Sequence, residues 1–95
     1  MSHRAVCKQL GWPLIDKDDA RDCLQSLPTQ LLQAFDANQL SYDIMFSYCE
    51  TQLQLGLSTV LDCPFARVAL YHRAVELAEK VSGHGPRGNN LLMSM

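Results

Sequence analysis

The chain has 95 residues, 47% hydrophobic and 19% charged, with a net charge of −2. That length supports one domain burying roughly 60–65% of its unfolded surface, and the apolar content argues against wholesale disorder. Eight scattered basic residues stand against ten acidic ones, so no cationic patch forms for nucleic acid or for a basic membrane-surface helix.

No apolar run approaches the length of a transmembrane helix. Met1 to Ile15 lacks the apolar core of a secretory signal, which leads to the expectation of a cytoplasmic protein. Cysteines stand at Cys7, Cys23, Cys49 and Cys63. Three of them fall beside apolar residues in helical patterns, so they read as buried free thiols of a reducing compartment.

In chain order, Ser2–Leu10 reads as a short helix with Val6, Cys7 and Leu10 on its apolar side, stopped by Gly11 and Pro13. Trp12, the one tryptophan, sits between them. A core plug is the favoured reading, because of the area a tryptophan buries. The sharper one is a binding anchor, since tryptophan is enriched at interface hot spots. Asp16 or Asp18 then caps a helix whose acidic first turn suits the helix dipole. Ala20, Leu24, Leu27, Leu31, Ala34 and Phe35 continue at helical spacing. Pro28 interrupts them. We read a break and a restart there, with Ser26 as a possible cap and Asn38 as the C-terminal residue.

Ser41 is expected to cap a long helix reaching about Leu61. Met45, Cys49, Leu53, Gly56 and Val60 make its main stripe, flanked by Phe46 and Leu57. A second stripe of Ile44, Tyr48 and Leu55 lies about 120° around the wheel. Gly56 inside a helix costs up to about 1 kcal/mol against alanine. Close approach of another helix would compensate; a weak spot near the helix end is the plainer alternative.

Asp62-Cys63-Pro64 is the clearest punctuation in the chain, with a cap followed by proline in a first helical turn. The next helix is expected over Phe65–Ser82, ending at Gly83. One stripe is Ala66, Leu70, Ala74, Leu77 and Val81. The adjacent one is Val68, Tyr71, Val75 and Ala78. His72, Arg73, Glu76, Glu79 and Lys80 fill the solvated arc. The short link at Asp62 implies an antiparallel helical hairpin. Residues 1–83 are expected to form the single helical domain, and 84–95 a flexible tail whose apolar end, Leu91 to Met95, reads as a loose terminus or a short docking peptide.

Chemical motifs are sparse. His72 and Glu76 have chelating spacing, but no third ligand is visible, and a surface pair suffices. Asp16, Asp18, Asp19 and Asp22 fail the calcium-loop pattern, and capping explains them. Cys63 before Pro64 sits where a helix dipole favours thiolate, yet no Cys-x-x-Cys partner is present. Arg67 is the one charge within the apolar arc of the last helix. It reads equally as a snorkelling side chain and as an interface arginine.

The expected fold is all-α, four or five helices built on the antiparallel hairpin and dimeric about a two-fold axis. The expected function is a non-catalytic protein–protein interaction module. It would be a small regulator, inhibitor or adaptor that binds a partner through an apolar helical face. Partner-binding residues would be Trp12, Ile44, Tyr48, Leu55, Arg67, Val68, Tyr71 and Val75. No cofactor, metal, nucleic acid, membrane or small-molecule substrate is expected. The alternative is a thiol-dependent enzyme or redox sensor using Cys63.

Overall fold

The computed structural model describes residues 3–62, 67–81 and 91–93. Helices predominate in it. The first, α1, spans His3–Leu10 and ends where Gly11 turns left-handed at φ 71°. The Gly11 and Trp12 amides both donate to the Cys7 carbonyl there. A strand, β1, follows at Leu14–Asp16, and α2 runs over Lys17–Gln25. Asp16 is the cap: its Oδ1 accepts from the Asp18 amide at 2.9 Å. Ser26 closes α2 instead of opening a new helix, its hydroxyl donating to the Cys23 carbonyl at 2.6 Å. Pro28 then precedes the short α3, Thr29–Leu32, whose Leu31 and Leu32 amides donate back to the Pro28 carbonyl. The chain therefore breaks and restarts at this proline, which has no amide to lose in that position.

The central helix α4 spans Ala37–Gln54. Asp36 caps it by accepting from the Gln39 amide at 3.0 Å, so Asn38 lies inside a helix rather than ending one. Ser41 is a buried residue within the helix and not its cap; its hydroxyl donates to the Ala37 carbonyl at 2.7 Å. The far end differs further from expectation. Gly56 has φ 81°. Its amide donates to the Leu53 carbonyl, and the Leu57 amide donates to the Gln52 carbonyl, both at 3.0 Å. This paired bonding is a Schellman termination, which needs a residue free to adopt positive φ. The helix therefore stops about two turns short of Leu61.

Thr59–Asp62 forms β2 instead, α5 spans Val68–Val81, and Leu91–Met93 forms β3. The expected cap at Cys63 and Pro64 lies outside the described residues. The three strands make one sheet in the order β1-β2-β3, with both pairings parallel. Leu14, Ile15 and Asp16 lie opposite Val60, Leu61 and Asp62, while Thr59, Val60 and Leu61 lie opposite Leu91, Leu92 and Met93. The all-α expectation is thus corrected: the domain is mostly helical but is organised on a small parallel sheet. A parallel pair needs a crossover connection, which α2 to α4 supply for the first pair. Leu91–Met93, taken from sequence as part of a flexible tail, is an edge strand.

Ile15, Leu61 and Leu91 face Tyr42, Met45, Phe46, Cys49 and Leu53 of α4 and Leu70, Ala74, Leu77 and Val81 of α5 in one core. The central strand is buried at Thr59, Val60 and Leu61, as expected for a parallel strand covered on both faces. The two helices are joined by two ion pairs. Arg73 reaches Asp43, and two turns further along both helices Lys80 reaches Glu50 at 2.5 Å. Partners that advance together along both helices place α4 and α5 parallel. The antiparallel hairpin is corrected accordingly, because β2 between the helices carries the chain back before α5 begins.

Candidate functional site

The site is a groove along the flank of α4 that faces α2. Its floor comes from β1 and the turn before it, through Pro13, Leu14 and Ile15, together with Met45 of α4. Ala20, Cys23 and Leu24 of α2 form one wall, and Ile44, Tyr48 and Gln52 of α4 form the other. Asp16 and Asp19 close one end. The space measures about 600 Å³, within the range of ligand-sized clefts. Its lining is mainly apolar and holds no cationic side chain. The run from Ile44 to Gln52 along α4 is about 12 Å, or two helical turns. A second, shallower depression on the other side of the Ile44–Tyr48 ridge includes Leu40, Asp43, Ser47 and Thr51.

The placement follows from helical and strand periodicity. In α4, Met45 and Cys49 point into the core, and Ile44 and Tyr48 stand one position around from them, toward α2. Tyr48 is 63% exposed although it is aromatic and lies beside an apolar groove. Leu55, the third member of the expected stripe, is 69% exposed at the C-terminal cap of α4, outside the groove lining.

The second expected stripe lies elsewhere. Val68 is 67% exposed and Tyr71 45% exposed, with Val75 half-buried beside them. The Tyr71 ring stands edge-on to His72 at 6.0 Å. On the wheel of α5 these residues lie opposite the side from which Arg73 and Lys80 reach α4. The Ile44–Tyr48 ridge and the Val68–Tyr71–Val75 stripe therefore occupy opposite flanks of the α4–α5 pair. Trp12 is half-buried in the link between α1 and β1. Arg67 is exposed, with its guanidinium carbon 6.0 Å from the centre of the Tyr42 ring.

Charge at the acidic end is partly balanced. Arg4 lies 3.6 Å from Asp16 and 3.7 Å from Asp19. Lys17 is only 5% exposed, and its ammonium sits 3.5 Å from Asp18 and 5.0 Å from the Tyr42 ring centre. A buried lysine needs such partners, an anion and an aromatic face, to offset desolvation. Arg21 is shared between Asp18 and Asp22.

The described cysteines differ in accessibility. Cys49 is fully buried and its thiol is pushed up to about 12 by desolvation, with the charge of Glu50 adding to the effect. It cannot supply thiolate near neutral pH. Cys7 is buried and Cys23 is exposed on the groove wall. Cys63 lies outside the described residues. Among those residues, no three His, Cys, Asp or Glu side chains converge as a metal site, and no helix is long and apolar enough to cross a membrane.

The groove floor and its α2 wall escaped the sequence reading. Leu14 and Ile15 were a two-residue apolar patch too short to declare itself as a strand. In its partner strand, Val60 continues the helical spacing of Met45, Cys49 and Leu53. The available signal was Thr59-Val60-Leu61, a run of strand-favouring residues placed just after Gly56. No family model, curated protein or solved structure matches the chain.

Proposed function

We propose that this chain is a non-catalytic protein–protein interaction module, a small regulator, inhibitor or adaptor that works through exposed apolar helical surface. The observation that carries the reading is Tyr48, 63% exposed at the mouth of an apolar groove of about 600 Å³. An aromatic side chain left in water beside such a cleft matches the anchor residues of protein interfaces. The groove is walled by helices and two turns long, which suits an amphipathic helix presenting residues at i, i+3 or i+4, and i+7.

Site-specific photo-crosslinking in the protein's native cells tests this. A benzophenone side chain placed at Tyr48 is expected to give one discrete adduct with a protein. The same group at Lys8, exposed on α1, is expected to give none. Equal labelling from both positions, or no adduct from Tyr48, would overturn the reading.

A further inference from the structure

Two of the apolar surfaces left open among the described residues differ in shape. One is the concave groove between α2 and α4. The other is the convex stripe of Val68, Tyr71 and Val75 on α5. The stripe has i, i+3, i+7 spacing and spans two turns, about 11 Å, which matches the length of the groove.

Their charges also match. The groove ends in Asp16 and Asp19 and its lining has no cation. The stripe begins at exposed Arg67, and none of Arg67, Val68, Tyr71 and Val75 is acidic. Asp16 is largely enclosed, its Oδ1 accepting from the Asp18 amide and its Oδ2 lying 3.6 Å from Arg4, whereas Asp19, 3.7 Å from Arg4, is 71% exposed and accessible to a second guanidinium.

We infer that the occupant of the groove is the α5 stripe of a second copy of this chain, docked with its Arg67 end toward the exposed Asp19. Groove and stripe lie on opposite flanks of the α4–α5 pair. One contact therefore leaves a free groove on one copy and a free stripe on the other. The association is head-to-tail and extends with concentration, instead of closing as a two-fold dimer. The inference rests on the interaction-module reading and adds a regulatory consequence: self-association fills the groove that a heterologous partner would use.

Sedimentation velocity over a hundredfold dilution, in reducing buffer, reads this out. The native chain is expected to show a weight-average size that keeps rising past the dimer. Two variants at highly exposed positions, Tyr48→Asp in the groove and Val68→Asp on the stripe, are each expected to weaken self-association about thirtyfold or more. Both are expected to keep the native far-ultraviolet circular dichroism. Mixed together, they are expected to form a heterodimer that grows no further, because each supplies the surface that the other lacks. A dimer of fixed size that mixing does not restore would overturn the head-to-tail arrangement. A monomer at every concentration would overturn self-association, while leaving the crosslinking test at Tyr48 as the separate judge of the interaction-module reading.

Discussion

Arg73 donates from Nη1 to Oδ1 of Asp43 at 2.7 Å, joining α5 to α4 across thirty positions of sequence. The same guanidinium lies 4.5 Å from the centre of the Phe46 ring. One side chain therefore fixes the register of two parallel helices through a charge and an aromatic face. Asp43 also accepts from the Gln39 side chain at 3.2 Å. The hydrogen bond from Arg73 is the main cause holding the Asp43 carboxyl below its ordinary value, followed by a smaller opposing effect of desolvation and by the bond from Gln39.

Asp43→Asn is expected to cost less than about 1 kcal/mol at pH 7, because both partners are close to half-exposed and solvent screens the pair. The native carboxyl is depressed, so the unfolded state binds the proton more readily. The contribution is complete above the ordinary value of 3.8 and fades as pH falls through the lower native value. Urea unfolding of both proteins at pH 7 and in acid checks this, the difference between them shrinking in acid.

Gly56→Ala discriminates between two pictures of the chain by its sign. A Cβ there meets nothing within 4 Å, so the cost comes from φ 81° alone. Destabilisation of about 1–2 kcal/mol is expected. Had Gly56 stood inside a continuous helix, alanine would stabilise by up to about 1 kcal/mol. Thermal or chemical denaturation gives the sign directly.

Leu61→Ala is expected to destabilise by about 2–5 kcal/mol, since the residue is fully buried at the centre of the sheet. Leu55→Ala, at a position 69% exposed, is expected to stay within about 0.5 kcal/mol of the native protein. Parallel denaturant titrations compare the two; similar losses would contradict the placement of Leu61 in β2.

Iodoacetamide labelling of the native protein near pH 8, read by mass spectrometry, is expected to modify Cys23 and spare Cys49. Cys23 is open to solvent, while Cys49 is buried and its thiol is held at about 12. Labelling of Cys49 is expected only after unfolding.

The helices were legible to different degrees, for local reasons. In α5 the apolar positions recur with helical spacing and the charges fall on the remaining arc, so its faces follow from the wheel. The break at Pro28 and the stop at Gly11 follow from backbone chemistry that acts within a few residues. The end of α4 was misread because Val60 continues the spacing of Met45, Cys49 and Leu53 by coincidence. Only the positive φ of Gly56 tells that the stripe has already ended. Ile44 and Tyr48 were visible as a leftover stripe, but the groove they line was not, since its floor and far wall come from β1 and α2.

The sequence by itself determined the predominantly helical character, the proline break and the surplus of apolar surface over what one small core can hide. These depend on periodicity and on residues that act locally. The tertiary structure alone decided that β1, β2 and β3 pair in parallel, that α4 and α5 run the same way, and that the two leftover stripes face apart. Parallel strands are joined through long crossovers, so their pairing leaves no turn signal between neighbours in sequence. Helix direction then follows from the strand inserted between the helices, and with it the flank on which each exposed side chain stands.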